Sequence, residues 1–123
     1  MILARLYLSI YNTDLIYGEI KGAYNAMVKI KKISEKKNSK IYNGLKKFAE
    51  INIQALEGKI TISQAKKELE NLSVEFPEVF LLDRLGTGSV QRSLNGYIHR
   101  LEYSINRYDI KYPYFNMQRC DDL

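Results

Sequence analysis

Apolar positions recur along this chain mostly every three to four residues, the period of an amphipathic helix. Leu3, Leu6, Tyr7 and Ile10 follow that period within Met1–Tyr11, although the β-branched and aromatic content there also suits a strand. Ile16, Ile20, Ala23, Tyr24, Met27 and Ile30 share one face of the next segment, for which Asn12, Thr13 and Asp14 offer an N-cap. Asn38-Ser39 marks a break, because both side chains hydrogen-bond their own backbone and favour caps. Ile41, Leu45, Phe48, Ala49, Asn52, Ile53 and Leu56 form another stripe, closed by Gly58 at a C′ position. Thr61 or Ser63 caps a short helix bearing Ala65, Leu69 and Leu72. Pro77 suits the first turn of a helix with Val79, Phe80, Leu82 and Leu85, ended by Gly86-Thr87-Gly88. The clearest pattern is the last, near 89–110: Val90, Leu94, Tyr97, Ile98, Leu101, Ile105 and Tyr108 follow a seven-residue repeat.

No other segment alternates with period two. The chain therefore reads as all-α: a single-domain bundle of five or six helices over 1–111, the longer ones antiparallel across short loops. A tail at 112–123 follows, with Tyr112, Pro113, Tyr114, Phe115 and Met117. Its aromatics fit docking on the protein's own bundle better than an exposed patch for a partner subunit, because buried aromatics are the commoner case.

Composition narrows the class. The 123 residues are 46% apolar, enough for one domain with a real core. The single cysteine, Cys120, excludes an internal disulfide and a disulfide-stapled secreted scaffold. MILARLYLSIYN lacks the basic n-region and cleavage site of a signal peptide, and no segment approaches the ~20 apolar residues of a membrane span. The expectation is a soluble protein of the cytoplasm, the host's if the chain is viral.

Charge is unevenly placed. Twelve of thirteen Lys lie between Lys21 and Lys67, and five of six Arg lie from Arg84 onward. Nine Lys and one acid, Glu35, occupy Lys21–Lys47, a local excess larger than the net +5 of the whole chain. Helical phase sets Lys21, Lys29, Lys32 and Lys36 opposite the apolar stripe of their segment, with Lys40 and Lys47 on the outer face of the next. A merely solvated face usually mixes Glu among its Lys. A nearly unmixed one suits phosphates, which lysines bind without reading sequence, or an acidic protein surface. A membrane surface fits less well, because the opposite faces are needed for the core.

Catalytic constellations are sparse. One His and one Cys cannot close a zinc site without carboxylates, and no cofactor is implied. Nothing resembles a nucleophile elbow. Glu68 and Glu70, and Asp121 and Asp122, read as solvated pairs. Gly86-Thr87-Gly88-Ser89 before a helix could hold a phosphate on backbone amides, but it matches neither GxGxxG nor a Walker loop, and simple punctuation explains it better. Gln91, Arg92, Ser93 and Asn95 suggest a helix-turn-helix recognition helix, in poor register. Arg92 and His99, six residues between them, resemble the R-x(4–6)-H motif of HEPN ribonucleases. That resemblance implies His99 as acid/base and Arg92 as phosphate contact, at a site formed where two such faces meet in a dimer. The Asn, Asp or His usual after the Arg is here Ser93.

These observations favour a small basic binding protein without catalytic activity, whose contacts are Lys21, Lys29, Lys32, Lys36, Lys40, Lys47 and Arg92. In style, a Lys/Ile/Asn/Tyr-rich chain of this size resembles accessory proteins of phages, viruses and mobile elements. That implies a partner that is nucleic acid, or an acidic surface of a nucleic-acid-processing protein such as a CRISPR effector, which this chain would inhibit. The alternatives are the HEPN-like ribonuclease and a helical assembly protein of a virus. The C-terminal helix and the aromatic tail are the surfaces suited to a homodimer.

Overall fold

The computed structural model describes residues 1–82 and 89–108. Among them are five α-helices and one short 3-10 helix, and no strand. The helices are α1 (Ile2–Ile16), α2 (Ile20–Glu35), α3 (Lys40–Leu56), α4 (Ile62–Glu75) and α5 (Val90–Tyr108), with the 3-10 helix at Pro77–Leu81. The all-α bundle expected from periodicity is the observed fold. Leu85, the Gly86-Thr87-Gly88 stretch and the aromatic tail lie outside the described residues.

Met1–Tyr11 is helix, not strand, and the helix continues to Ile16. Asn12, Thr13 and Asp14 are therefore interior residues and not the N-cap their composition suggested. The reason is tertiary: Asn12 is buried and accepts a hydrogen bond from Arg100 Nε at 3.1 Å, 88 residues away. The chain turns at Gly18 instead, whose φ of 76° is the left-handed conformation that glycine adopts without strain. Ile16, assigned by periodicity to the core stripe of α2, ends α1 and is 53% exposed.

The remaining boundaries follow their local chemistry. Ser39 is the N-cap of α3, in extended conformation but without a side-chain cap bond. Gly58 follows α3 with φ 71°. Thr61, not Ser63, caps α4: its hydroxyl accepts from Gln64 N–H while the Gln64 side chain accepts from Thr61 N–H, a complete capping box. Pro77 does open a helix, but a 3-10 turn of five residues.

Neighbouring contacts fix the directions. Lys31–Glu50 and Tyr24–Glu57 pair α2 with α3 antiparallel. Lys47–Glu75 links α3 to the end of α4. Arg100–Asn12 and Ser104–Leu15 set α5 parallel to α1. Because α5 packs against both α1 and α4, the helices close into a ring around one core. Phe48 of α3, Phe80 of the 3-10 helix and Tyr97 of α5 meet edge to face at its centre, with centroids 4.9–6.2 Å apart.

Gly44 lets the 3-10 helix lie against α3. A Cβ there would stand 2.8 Å from Phe76 Cγ and Val79 Cγ2. Alanine would gain about 1 kcal/mol of helix propensity, but overpacking a filled core costs ~1–3 kcal/mol. With side chains of two buried residues in the way, the second effect wins. Gly44→Ala is expected to lower the urea midpoint, with unchanged m-value.

Candidate basic interface

The lysines of α2 owe their placement to helical phase. Ile20, Ala23, Met27, Ile30 and Ser34 face the core, so residues 21, 25, 29, 32 and 36 fall on the opposite side. Lys21, Lys29, Lys32 and Lys36 are all exposed, and Asn25 continues their row. The row climbs about 22 Å along the helix at 1.5 Å per residue. Lys36 and Lys37 end it, and after the Asn38-Ser39 turn Lys40 opens α3, also exposed. Lys37, which sequence reasoning did not nominate, lies just past the last turn of α2 and joins the terminal group.

Two sequence-nominated residues lie elsewhere. Lys47 is exposed, but its Nζ stands 3.7 Å from Glu75 and 5.1 Å from the Phe76 ring centroid. It lines the α3–α4 groove together with Glu50, Glu68 and Glu75. Its charge is answered there, on the flank of α3 away from α2. Arg92 is exposed in the first turn of α5, whose main neighbours are α1, α4 and the 3-10 helix. The flank of α2 toward α3 is also compensated: Lys31 is half-buried 3.6 Å from Glu50, and Tyr24 donates to Glu57 at 2.7 Å. Acids thus line the α2–α3 seam, which Lys32 and Glu35 also border, and Glu35 is the one acid beside the C-terminal part of the lysine row.

Arg92 and His99 are both exposed on α5 and share a face, two turns or about 10 Å apart. His99 borders a shallow surface with Glu102, Tyr103, Asn106 and Arg107, and a groove with Ile16, Arg100 and Ser104. Arg92 lines neither. Among the described residues, no group of three or more His, Cys, Asp or Glu could hold a metal ion, and no helix is long and apolar enough to cross a membrane.

Among the described residues, titration is perturbed at Tyr11, in the core, and at Asp14, whose carboxylate packs against Gly22 at the start of α2. Burial, with Tyr97 beside it, pushes the Tyr11 hydroxyl far above the ordinary tyrosine range, against a weaker pull from Arg100. Asp14 is raised by desolvation and by neighbouring Glu19. Tyr11 belongs to a buried polar network: its hydroxyl donates to Asn52 Oδ1 at 2.6 Å, and Asn52 Nδ2 donates to Phe48 O at 2.9 Å. This network ties α1 to α3 and is structural in its chemistry, since every bond in it is already made within the fold. Compared with protein-family models, curated proteins and solved structures, the chain matches none.

Proposed function

We propose that this protein is a non-catalytic accessory protein that binds the phosphate backbone of nucleic acid through the outer row of α2. Lys21, Lys29, Lys32 and Lys36 are the contacts, extended by Lys37 and Lys40 at the turn. One observation carries the reading: Lys29, Lys32, Lys36, Lys37 and Lys40 stand exposed over the C-terminal half of α2 and the turn after it with one acid, Glu35, among them, while other acids are gathered at the α2–α3 and α3–α4 seams. A face serving solubility alone does not need that segregation. The row faces away from its own core, so a duplex can approach it along the helix length. Lysine point charges give affinity and register on phosphates, without base reading. A role as inhibitor of a nucleoprotein, CRISPR effectors included, uses the same surface by competing for its nucleic acid or by meeting its acidic groups.

The test is an equilibrium titration of duplex DNA and duplex RNA at low salt. Replacing Lys29, Lys32 and Lys36 together by Glu reverses the row, and is expected to weaken binding at least 10³-fold, since each lost phosphate contact also removes released counterions. Helical content should be unchanged, because all three side chains are exposed. Lys47→Glu is expected to change affinity little. Equal affinities for the wild type and the triple variant would refute the assignment.

A further inference from the structure

The outer face of α1 differs from every other outer helix face. Leu3, Leu6, Ile10, Thr13 and Tyr17 are spaced three, four, three and four residues apart, the a and d positions of a heptad. All are exposed, Leu3 to 50%, Leu6 to 53%, Ile10 to 36% and Tyr17 to 75%. Ile2, 86% exposed, and Ile16, 53% exposed, flank the row at g positions with Ser9 between them. Meanwhile the seam that packs into the bundle is a separate one, Ala4, Leu8, Tyr11 and Leu15. Thus α1 carries two heptad seams and the bundle uses one. The unused seam and its g flank hold no charged residue.

We propose that this face is one half of a homodimer interface, with α1 of two copies pairing antiparallel about a two-fold axis near Ser9. Three observations select a second copy. First, the heptad spacing fits another helix of the same spacing, and two-fold pairing makes the patch self-complementary. Second, each copy carries net +5, and α1 holds no lysine, so two copies meet there without opposing lysines. Third, the row with Ile2 and Ile16 exposes roughly 600 Å² per copy by its fractional exposures, at the upper end of the ~300–600 Å² patch of a typical monomer and below the ~800 Å² per partner of a standard interface, which suits a weak dimer. Direction follows from the flanks. Antiparallel helices set g beside g, so Ile2 meets the partner's Ile16 and Ser9 meets the partner's Ser9. Parallel helices would set g beside e, facing Ser9 with the Asp14 carboxylate of the other copy.

The interface is apolar, and the copies repel at long range. Added salt should therefore tighten the dimer by screening, opposite in sign to its effect on the lysine row. Sedimentation equilibrium of the wild-type chain is expected to show a monomer–dimer equilibrium with a micromolar dissociation constant. Leu3→Glu/Leu6→Glu should be monomeric at every concentration with unchanged helical circular dichroism. In a Cys120→Ser background, Ser9→Cys should oxidise to a disulfide-linked dimer, while Asn25→Cys on α2 should not. A wild type that stays monomeric at high micromolar concentration overturns the proposal. So does a dimer that survives Leu3→Glu/Leu6→Glu, or equal cross-linking at both cysteine positions.

Discussion

Phe48→Ala is expected to remove about 3–5 kcal/mol of folding stability, a large share of the ~5–15 kcal/mol a domain of this size possesses. Phe48 is fully buried, and its ring meets Phe80 at 5.6 Å and Tyr97 at 4.9 Å, both edge to face. Each such pair adds ~0.5–1.5 kcal/mol beyond area burial. The three rings come from α3, the 3-10 helix and α5, so the cavity left by alanine lies where three elements must collapse together. Rigid neighbours on all sides limit that relaxation, which keeps the cost at the upper end of the range. Urea unfolding measures it; a loss below ~1.5 kcal/mol would show that the aromatic centre does not organise the fold.

The second large effect concerns the bond from Tyr11 to Asn52. Asn52→Leu keeps the volume but strands the Tyr11 hydroxyl in a fully buried site and frees Phe48 O of its side-chain donor. An unsatisfied buried polar group costs ~1–3 kcal/mol; the Tyr11 hydroxyl is the group left without its acceptor, because Phe48 O keeps the helical N–H of residue 52, so a loss of about 1–3 kcal/mol is expected. Tyr11→Phe alone strands Asn52 Oδ1 and should cost ~1–3 kcal/mol. The double variant Tyr11→Phe/Asn52→Leu removes both sides of the bond and should be milder than the sum by at least ~1 kcal/mol. Additive losses would mean that the hydrogen bond is not what the two residues share.

That pair also shows where sequence reading reaches and where it stops. Asn52 was placed on the inner stripe of α3 by phase, and it is buried there. Its partner, 41 residues earlier, left no local trace. The same holds for Asn12. A polar triplet at 12–14 looks like a cap because caps and buried polar contacts use the same side chains, and only Arg100, brought in by the ring closure of α5, decides between them. Gly18 was the available signal for the true turn. Pro77 correctly marked a helix start, but a five-residue element has too few periods to distinguish 3-10 from α. Ser93 and Ser104 are buried on α5 although their type predicts exposure; Ser104 is satisfied by Leu15 O at 3.0 Å.

The basic face was legible to a similar depth. Phase alone put Lys21, Lys29, Lys32 and Lys36 outside, because the inner stripe of α2 is strongly apolar. It also put Lys47 outside, yet could not foresee that α4 would bring Glu75 beside it. Helical phase gives a residue's direction from its own axis; which neighbour lies in that direction depends on the packing. The exposed seam of α1 was missed for a related reason. The period of Leu3, Leu6, Tyr7 and Ile10 marks a helix, but it does not tell which apolar stripe packs inward, and the buried one is Ala4, Leu8, Tyr11 and Leu15.

The central claim is that the α2 row engages phosphates as a group of charges. Its most direct test is the slope of log affinity for duplex DNA against log salt concentration. Six lysine–phosphate contacts predict a slope of about −5, falling toward −2 to −3 in Lys29→Glu/Lys32→Glu/Lys36→Glu. A wild-type slope near zero, or no binding at low salt, would contradict it.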